Sequence, residues 1–252
     1  MNKLFNLSID GPVATITLDS PETHNRLPAD QLPDFKRMLV EIEANDSLRV
    51  LVITGAGNKT FCAGYNIGDI EASPGKKIDL GDLLGELERL PIPTICALNG
   101  AVYGGGVDLT LACDFRIGVD SMVLQIPAAK LGVHYYLTGL QRAVEHFGLN
   151  MAKRLLLLAE PMNAEQLLEC GYLDYSVPRD ELESKTAELC ARIAGYAPIA
   201  VSGMKLALNE VARGAVDTER LNKHVMRASQ SEDLKEGARA FLEKRKPKFT
   251  GK

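Results

Sequence analysis

Short runs of apolar and β-branched residues recur along the first two thirds of the chain: Val13-Ala-Thr-Ile-Thr-Leu18, Val50-Leu-Val-Ile-Thr54, Thr94-Ile-Cys-Ala-Leu98, Phe115-Arg-Ile-Gly-Val119 and Met122-Val-Leu-Gln-Ile126. Runs of this length and composition predict strands. Between them, Gln31 to Asn45 and Leu80 to Leu90 carry helical patterns. Strands alternating with helices predict an α/β fold with largely parallel pairing. After Asp180 the β signal stops, and periodic segments near Asp180 to Tyr196, Ile199 to Arg213 and Val216 to Ser231 predict a helical C-terminal region. Such helices must bury their apolar stripes on the core or on another subunit. No internal repeat or low-complexity tract is visible, so nothing in the pattern divides the chain into independent domains.

Two loops interrupt the pattern where chemistry can sit. Phe61-Cys-Ala-Gly-Tyr-Asn-Ile67 follows the strand ending near Thr54. Asn99-Gly-Ala-Val-Tyr-Gly-Gly-Gly-Val-Asp108 follows the strand ending near Leu98. Consecutive glycines let the backbone turn tightly and expose its N–H groups, and a helix that follows aims its positive end at the same point. That combination suits a developing oxyanion. The alternative is a tight turn or a close packing site. The dinucleotide fingerprint, the P-loop, H-E-x-x-H and G-x-S-x-G are all absent, which argues against nucleotide binding, metalloprotease and α/β-hydrolase chemistry.

Composition narrows the field further. The chain has 252 residues with 29 basic and 33 acidic side chains, a formal charge of −4. This balance lacks the basic surface that a phosphate backbone requires. The five cysteines, Cys62, Cys96, Cys113, Cys170 and Cys190, show no metal-ligand spacing and read as reduced, buried thiols. No apolar run reaches the ~18 residues of a membrane span, and the N-terminus does not read as a signal peptide. A cytoplasmic protein without a metal site, membrane contact or nucleic-acid partner is expected.

The order and spacing of several segments resemble the crotonase (enoyl-CoA hydratase/isomerase) superfamily over nearly the whole chain. They are Asp19-Ser-Pro-Glu-Thr-His-Asn-Arg-Leu27, the two loops above, Ile92-Pro-Thr-Ile-Cys-Ala-Leu-Asn-Gly100, Cys113-Asp114 and Phe241-Leu-Glu-Lys-Arg-Lys-Pro-Lys-Phe249. The resemblance implies a spiral of ββα units over residues 1–180 that carries an acyl-CoA site. It also implies a helical oligomerisation region over residues 181–252, supporting a homotrimer or a dimer of trimers. Coenzyme A would enter as part of the substrate, with no prosthetic group. By match, the backbone N–H groups of Tyr65 and Gly105 form an oxyanion hole for a thioester enolate. His24, Arg26, Ala63, Phe241 and Lys244 are the expected coenzyme A contacts, although the basic run after Lys244 also reads as a solvated face.

The departures from the family pattern bear on the reaction. Hydratases of the family use two glutamates around one water; Asp108 and Ala128 stand at those positions here. Aspartate is a methylene shorter, and a displacement of about 1 Å can cost ~100-fold in rate. Asp108 is still the acid/base candidate, with capping or packing beside the glycine turn as its alternative. Asp114 reads as a packing or turn residue. In Leu131-Gly-Val-His-Tyr-Tyr-Leu-Thr-Gly-Leu140, aromatic and imidazole groups replace the usual glycine-rich loop, a pattern similar to methylmalonyl-CoA decarboxylases. Tyr135 matches the tyrosine that approaches the acyl carboxylate or thioester there, and His134 is the second candidate. The alternative is an aromatic wall with a structural histidine. The favoured reaction is decarboxylation of a short malonyl-type CoA. Hydration or double-bond isomerisation through Asp108 is the runner-up, and an inactive CoA-binding scaffold subunit is a third possibility of another class.

Overall fold

The computed structural model describes residues 4–66, 68–69 and 80–252. Ile67, at the end of the first glycine-bearing loop, lies outside the described residues. The chain opens with a hairpin, β1 (Phe5–Asp10) and β2 (Val13–Leu18), which turns at Gly11. The helix α1 (Leu32–Glu43) follows and buries Leu32, Phe35, Leu39 and Ile42, one face at helical spacing.

A three-element unit then recurs. Its first copy is β3 (Val50–Gly55), β4 (Thr60–Cys62) and α2 (Leu80–Arg89). The second is β5 (Thr94–Leu98), β6 (Ala101–Tyr103) and α3 (Gly105–Leu111). The third is β7 (Phe115–Val119), β8 (Val123–Gln125) and α4 (Leu137–Lys153). The repeat invisible in the sequence is therefore present in the backbone. Each unit sends its first strand to one sheet and its second to another. The larger sheet has the order β1-β2-β3-β5-β7-β10 and the smaller the order β4-β6-β8-β9, with β9 (Met162–Asn163) and β10 (Tyr175–Val177) supplied from downstream. Pairing is antiparallel for β1 with β2 and β8 with β9, and parallel elsewhere. This is the expected ββα spiral.

The strands β3 and β5 are buried along nearly their whole length, as parallel strands covered on both faces must be. After the short α5 (Ala164–Glu169), the helix α6 (Leu182–Ala194) lies on β3, β5 and β7 and buries Leu182, Leu189, Cys190 and Ile193. A boundary at residue 180 thus separates α6 from the sheet it covers. The looser helical region starts later, with α7 (Pro198–Ala212), α8 (Thr218–Ser229) and α9 (Glu232–Leu242). No apolar side chain of α7 or α8 is buried. No helix among the described residues is long and apolar enough to cross a membrane.

Candidate active site

The two glycine-bearing loops meet. Gly64 has φ +82°, and a Cβ there would stand 2.6 Å from both the Gly105 nitrogen and the Tyr103 carbonyl oxygen. Only glycine permits that approach. A Cβ on Gly105 would in turn lie 3.0 Å from the Tyr65 nitrogen. Gly104, at φ +50°, turns the chain so that Gly105 becomes the first residue of α3, where leading N–H groups have no intrahelical acceptor. Tyr65 and Gly105 are therefore neighbours at the mouth of one cleft.

The cleft encloses about 90 Å³ and is lined by Ala63, Tyr65, Leu80, Gly104, Gly105, Pro127, Ala128, Leu131, Val133, His134, Tyr135 and Tyr136. Among the described residues, this lining contains no Asp, Glu, Lys or Arg. The rings of Tyr135 and Tyr136 stack with centroids 5.4 Å apart and planes 5° from parallel. Glycines leave room for them: a Cβ on Gly139 would meet Tyr135 Cε1 at 2.8 Å, and one on Gly81 would meet Tyr136 Cε2 at 3.0 Å. The Tyr135 hydroxyl donates to the Gly104 carbonyl at 2.8 Å, which ties the aromatic wall to the glycine turn. His134 is exposed on the rim, with Nδ1 2.7 Å from the Tyr135 carbonyl oxygen. A carbonyl only accepts, so Nδ1 carries the proton of that bond and Nε2 is left toward the surroundings.

Asp108 occupies a different place from the expected one. Its carboxylate is fully buried, does not line the cleft, and binds Arg142 through both oxygens, at 2.6 Å to Nε and 2.8 Å to Nη2. The Tyr136 hydroxyl donates to the same carboxylate. The acid/base candidate is thus held by Arg142 and Tyr136 and stands outside the cleft lining. Three hydrogen bonds engage it, two from Arg142 and one from Tyr136, and of these two partners Tyr136 lines the cleft. Burial, then the adjacent Asp108 charge, pushes the Tyr136 phenol far above its ordinary range; the same two causes raise Tyr135. Both tyrosines therefore keep their protons.

The remaining candidates divide. Ala63 lines the cleft, and its N–H donates to the His24 carbonyl at 2.9 Å. The exposed His24 ring contacts the Thr60 hydroxyl at 2.9 Å, and Arg26 donates to Asn66 at 3.5 Å. Their loop is fixed by the buried Asn25, whose amide donates to the Ala56 and Thr60 carbonyls. Phe241 and Lys244 are not on the cleft lining; Phe241 is 85% exposed at the end of α9. Asp114 has the packing role expected, accepting from the Thr94 N–H and hydroxyl and pairing with Lys205 at 2.8 Å.

The sequence reading missed Glu88 and Arg142. Arg142, 1% exposed, also donates to Glu88 at 3.0 Å, and Glu88 binds Arg213 at 2.6 Å. A charged residue at a buried point of a helical pattern was the available signal. Its partner, 54 residues away, was not readable.

Comparisons with known proteins agree with this architecture. The family model described as enoyl-CoA hydratase/isomerase matches residues 8–252. The short-chain-enoyl-CoA hydratase of Clostridium acetobutylicum is 31% identical, with 95% of each chain covered. The 1,2-epoxyphenylacetyl-CoA isomerase of Escherichia coli is 34% identical, with 97% of each chain covered. Among solved structures, an enoyl-CoA hydratase from Bacillus anthracis superimposes with a TM-score of 0.87 at 30% identity, covering 99% of this chain and 100% of its own.

Proposed function

Since the chain belongs to the enoyl-CoA hydratase/isomerase family, we propose that its cleft holds an acyl-CoA thioester oxygen on the Tyr65 and Gly105 N–H groups and removes CO₂ from a short malonyl-type acyl group. The observation that carries this reading is the absence of any carboxylate among the described lining residues. Ala128 stands where the family's second glutamate would be, and Asp108 is spent on Arg142 and Tyr136.

Hydration needs a group to take a proton from water, and isomerisation needs one to take it from carbon. Decarboxylation needs neither. The C–C bond to the carboxylate breaks, its electron pair passes into the thioester enolate, CO₂ leaves, and C2 then accepts a proton. A wall without Lys or Arg among its described residues favours the step in which the carboxylate's charge moves to the oxyanion donors. His134, exposed at the rim, is the group in this reading that orients the carboxylate or supplies the proton to C2.

The names of the relatives favour a second reading, hydration or double-bond isomerisation, which requires Asp108 to leave Arg142. Assembly belongs to the proposal as well. The apolar side chains exposed on α7 to α9 suit self-association as a trimer or a dimer of trimers, and Phe241 and Lys244 serve coenzyme A only if α9 of one copy reaches the cleft of another.

Mass spectrometry after incubation with methylmalonyl-CoA and with crotonyl-CoA, in separate tubes, tests the reaction. Loss of CO₂ from the first without gain of water by the second is expected. Hydration of crotonyl-CoA alone overturns the decarboxylase reading. Tight binding of both without turnover supports the scaffold alternative.

A further inference from the structure

The buried ion chain behind the aromatic wall crosses four elements. Asp108 is on α3, Arg142 on α4, Glu88 on α2, and Arg213 caps the end of α7. Arg213 extends it to Glu145 of α4 at 3.3 Å. Signs alternate along the chain, so every buried charge has an opposite neighbour, as burial requires. The guanidinium of Arg142 grips Asp108 through Nε and Nη2 and turns Nη1 to Glu88, a fork a lysine cannot reproduce.

We propose that Arg142 is a positioning residue for the acyl cleft: by fixing Asp108 as the permanent acceptor of the Tyr136 hydroxyl, it makes Tyr136 present oxygen lone pairs, rather than a proton, to the acyl group. A phenol has one proton and two lone pairs. Here the proton is committed to Asp108. The Tyr135 proton is committed to Gly104 in the same way, so neither tyrosine donates into the cleft. The Tyr136 wall therefore disfavours a carboxylate and accepts neutral groups or a hydrogen-bond donor such as water. Any acyl carboxylate is steered away from α3 and toward His134 on the rim. The selectivity of the cleft is set by a residue that does not line it.

This inference rests on the acyl-CoA reading, and its test separates the two. Succinyl-CoA and butyryl-CoA serve as probes, a carboxylate-bearing and a neutral acyl group of equal carbon count. Calorimetry gives their Kd ratio without turnover. The native protein should prefer butyryl-CoA. Arg142→Lys keeps the charge but loses the fork that holds the Asp108 carboxylate in place, so the carboxylate turns out of line with the Tyr136 hydroxyl, the hydroxyl is freed to donate into the cleft, and the preference should shrink by about tenfold. In a Tyr136→Phe background the same Arg142→Lys change should leave the ratio unmoved, because the two residues act as one unit. A shift of equal size with and without the Tyr136 hydroxyl, or a loss of affinity equal for both probes, overturns the proposal.

If neither probe binds the native protein, the acyl-CoA reading has failed, and the clamp is then judged by NMR of ¹³Cζ-tyrosine. The Tyr136 signal should move in Arg142→Lys; an unmoved signal sinks the inference. Glu88→Gln, which weakens the far anchor of Arg142 together with the Arg213 pair and retains shape, supplies the same measurements should Arg142→Lys not fold. It should shift the probe ratio in the same direction by a smaller factor, and an unchanged ratio counts against the proposal.

Discussion

The spiral and the last three helices contain the same kinds of apolar residue and treat them in opposite ways. Leu98 and Ile53 are fully buried between strands and helices, whereas Leu208 of α7 is 66% exposed and Phe241 of α9 is 85% exposed. Helical periodicity alone does not distinguish the two cases. A stripe on α1 finds the sheet; on α7, Met204 and Leu208 stand exposed along an open groove whose other wall includes Leu111, Phe115 and Ile193, and on α8 Val225 and Met226 are exposed. What fastens these helices is mainly polar. Lys205 reaches Asp114 and the Ile92 carbonyl, Asn209 reaches the Glu88 carbonyl, and Arg213 joins the ion chain. The lesson is that amphipathicity reports a need for burial, while the polar contacts show where a helix is already seated.

The contrast can be broken by mutation. Leu98→Ala should cost about 4 kcal/mol of stability by urea unfolding, from lost transfer energy and a residual cavity. Leu208→Ala should stay within about 0.5 kcal/mol of the native chain in dilute solution. Comparable losses would mean that the α7 stripe is covered, and sedimentation velocity would then report a complex. Lys205→Met removes the buried cation that seats α7 and strands the Asp114 carboxylate, so a loss of about 3 kcal/mol is expected. Hydrogen exchange should place that loss in α7, ahead of the spiral strands.

Smaller effects sharpen the boundary. The Ser231 hydroxyl accepts the Leu234 N–H at the start of α9, and Ser231→Ala should cost about 1 kcal/mol in thermal unfolding. The final segment also responds to acid. Glu236 binds Arg245 and the Lys248 N–H, and the Arg245 hydrogen bond, followed by the Lys248 one, draws its carboxyl from 4.5 to about 2. A folded-state pKa below the unfolded value gives a contribution that is complete above about pH 4.5 and lost as the pH falls toward 2. The Lys248 amide should therefore lose protection over that window while amides of β3 and β5 keep theirs. Simultaneous loss in both places would show that the two regions unfold as one.

Much of this architecture was legible in the sequence, and the exceptions have physical causes. The runs that became β2, β3, β5 and β7 are β-branched and apolar, so their burial was readable. The strands β4, β6 and β9 have three residues or fewer, too short to display a period. In β1 the alternation of Phe5, Leu7 and Ile9 is present, but only Phe5 is buried, so the run lacks the continuous apolar character of the other strands. At the site, the glycines were informative because backbone approach has a sequence signature. The commitment of Asp108 to Arg142 was not, because side-chain pairing across 34 positions has none. Only the structure shows that the carboxylate just after the glycine turn is held by Arg142 and Tyr136 and does not line the cleft.

The alternation of strands between two sheets also constrains how the chain acquires its form. Among the described pairings only β1 with β2 is a hairpin; β4 must wait for β6, and β6 for β8, each across an intervening helix and strand. Such pairings have high contact order, and loop-closure entropy opposes them until late. During synthesis, the newest unit would leave one unpaired edge in each sheet until its successor emerged. Slow refolding, in milliseconds to seconds, with exposed strand edges in partly completed chains, is the kinetic price of a site assembled where successive units meet.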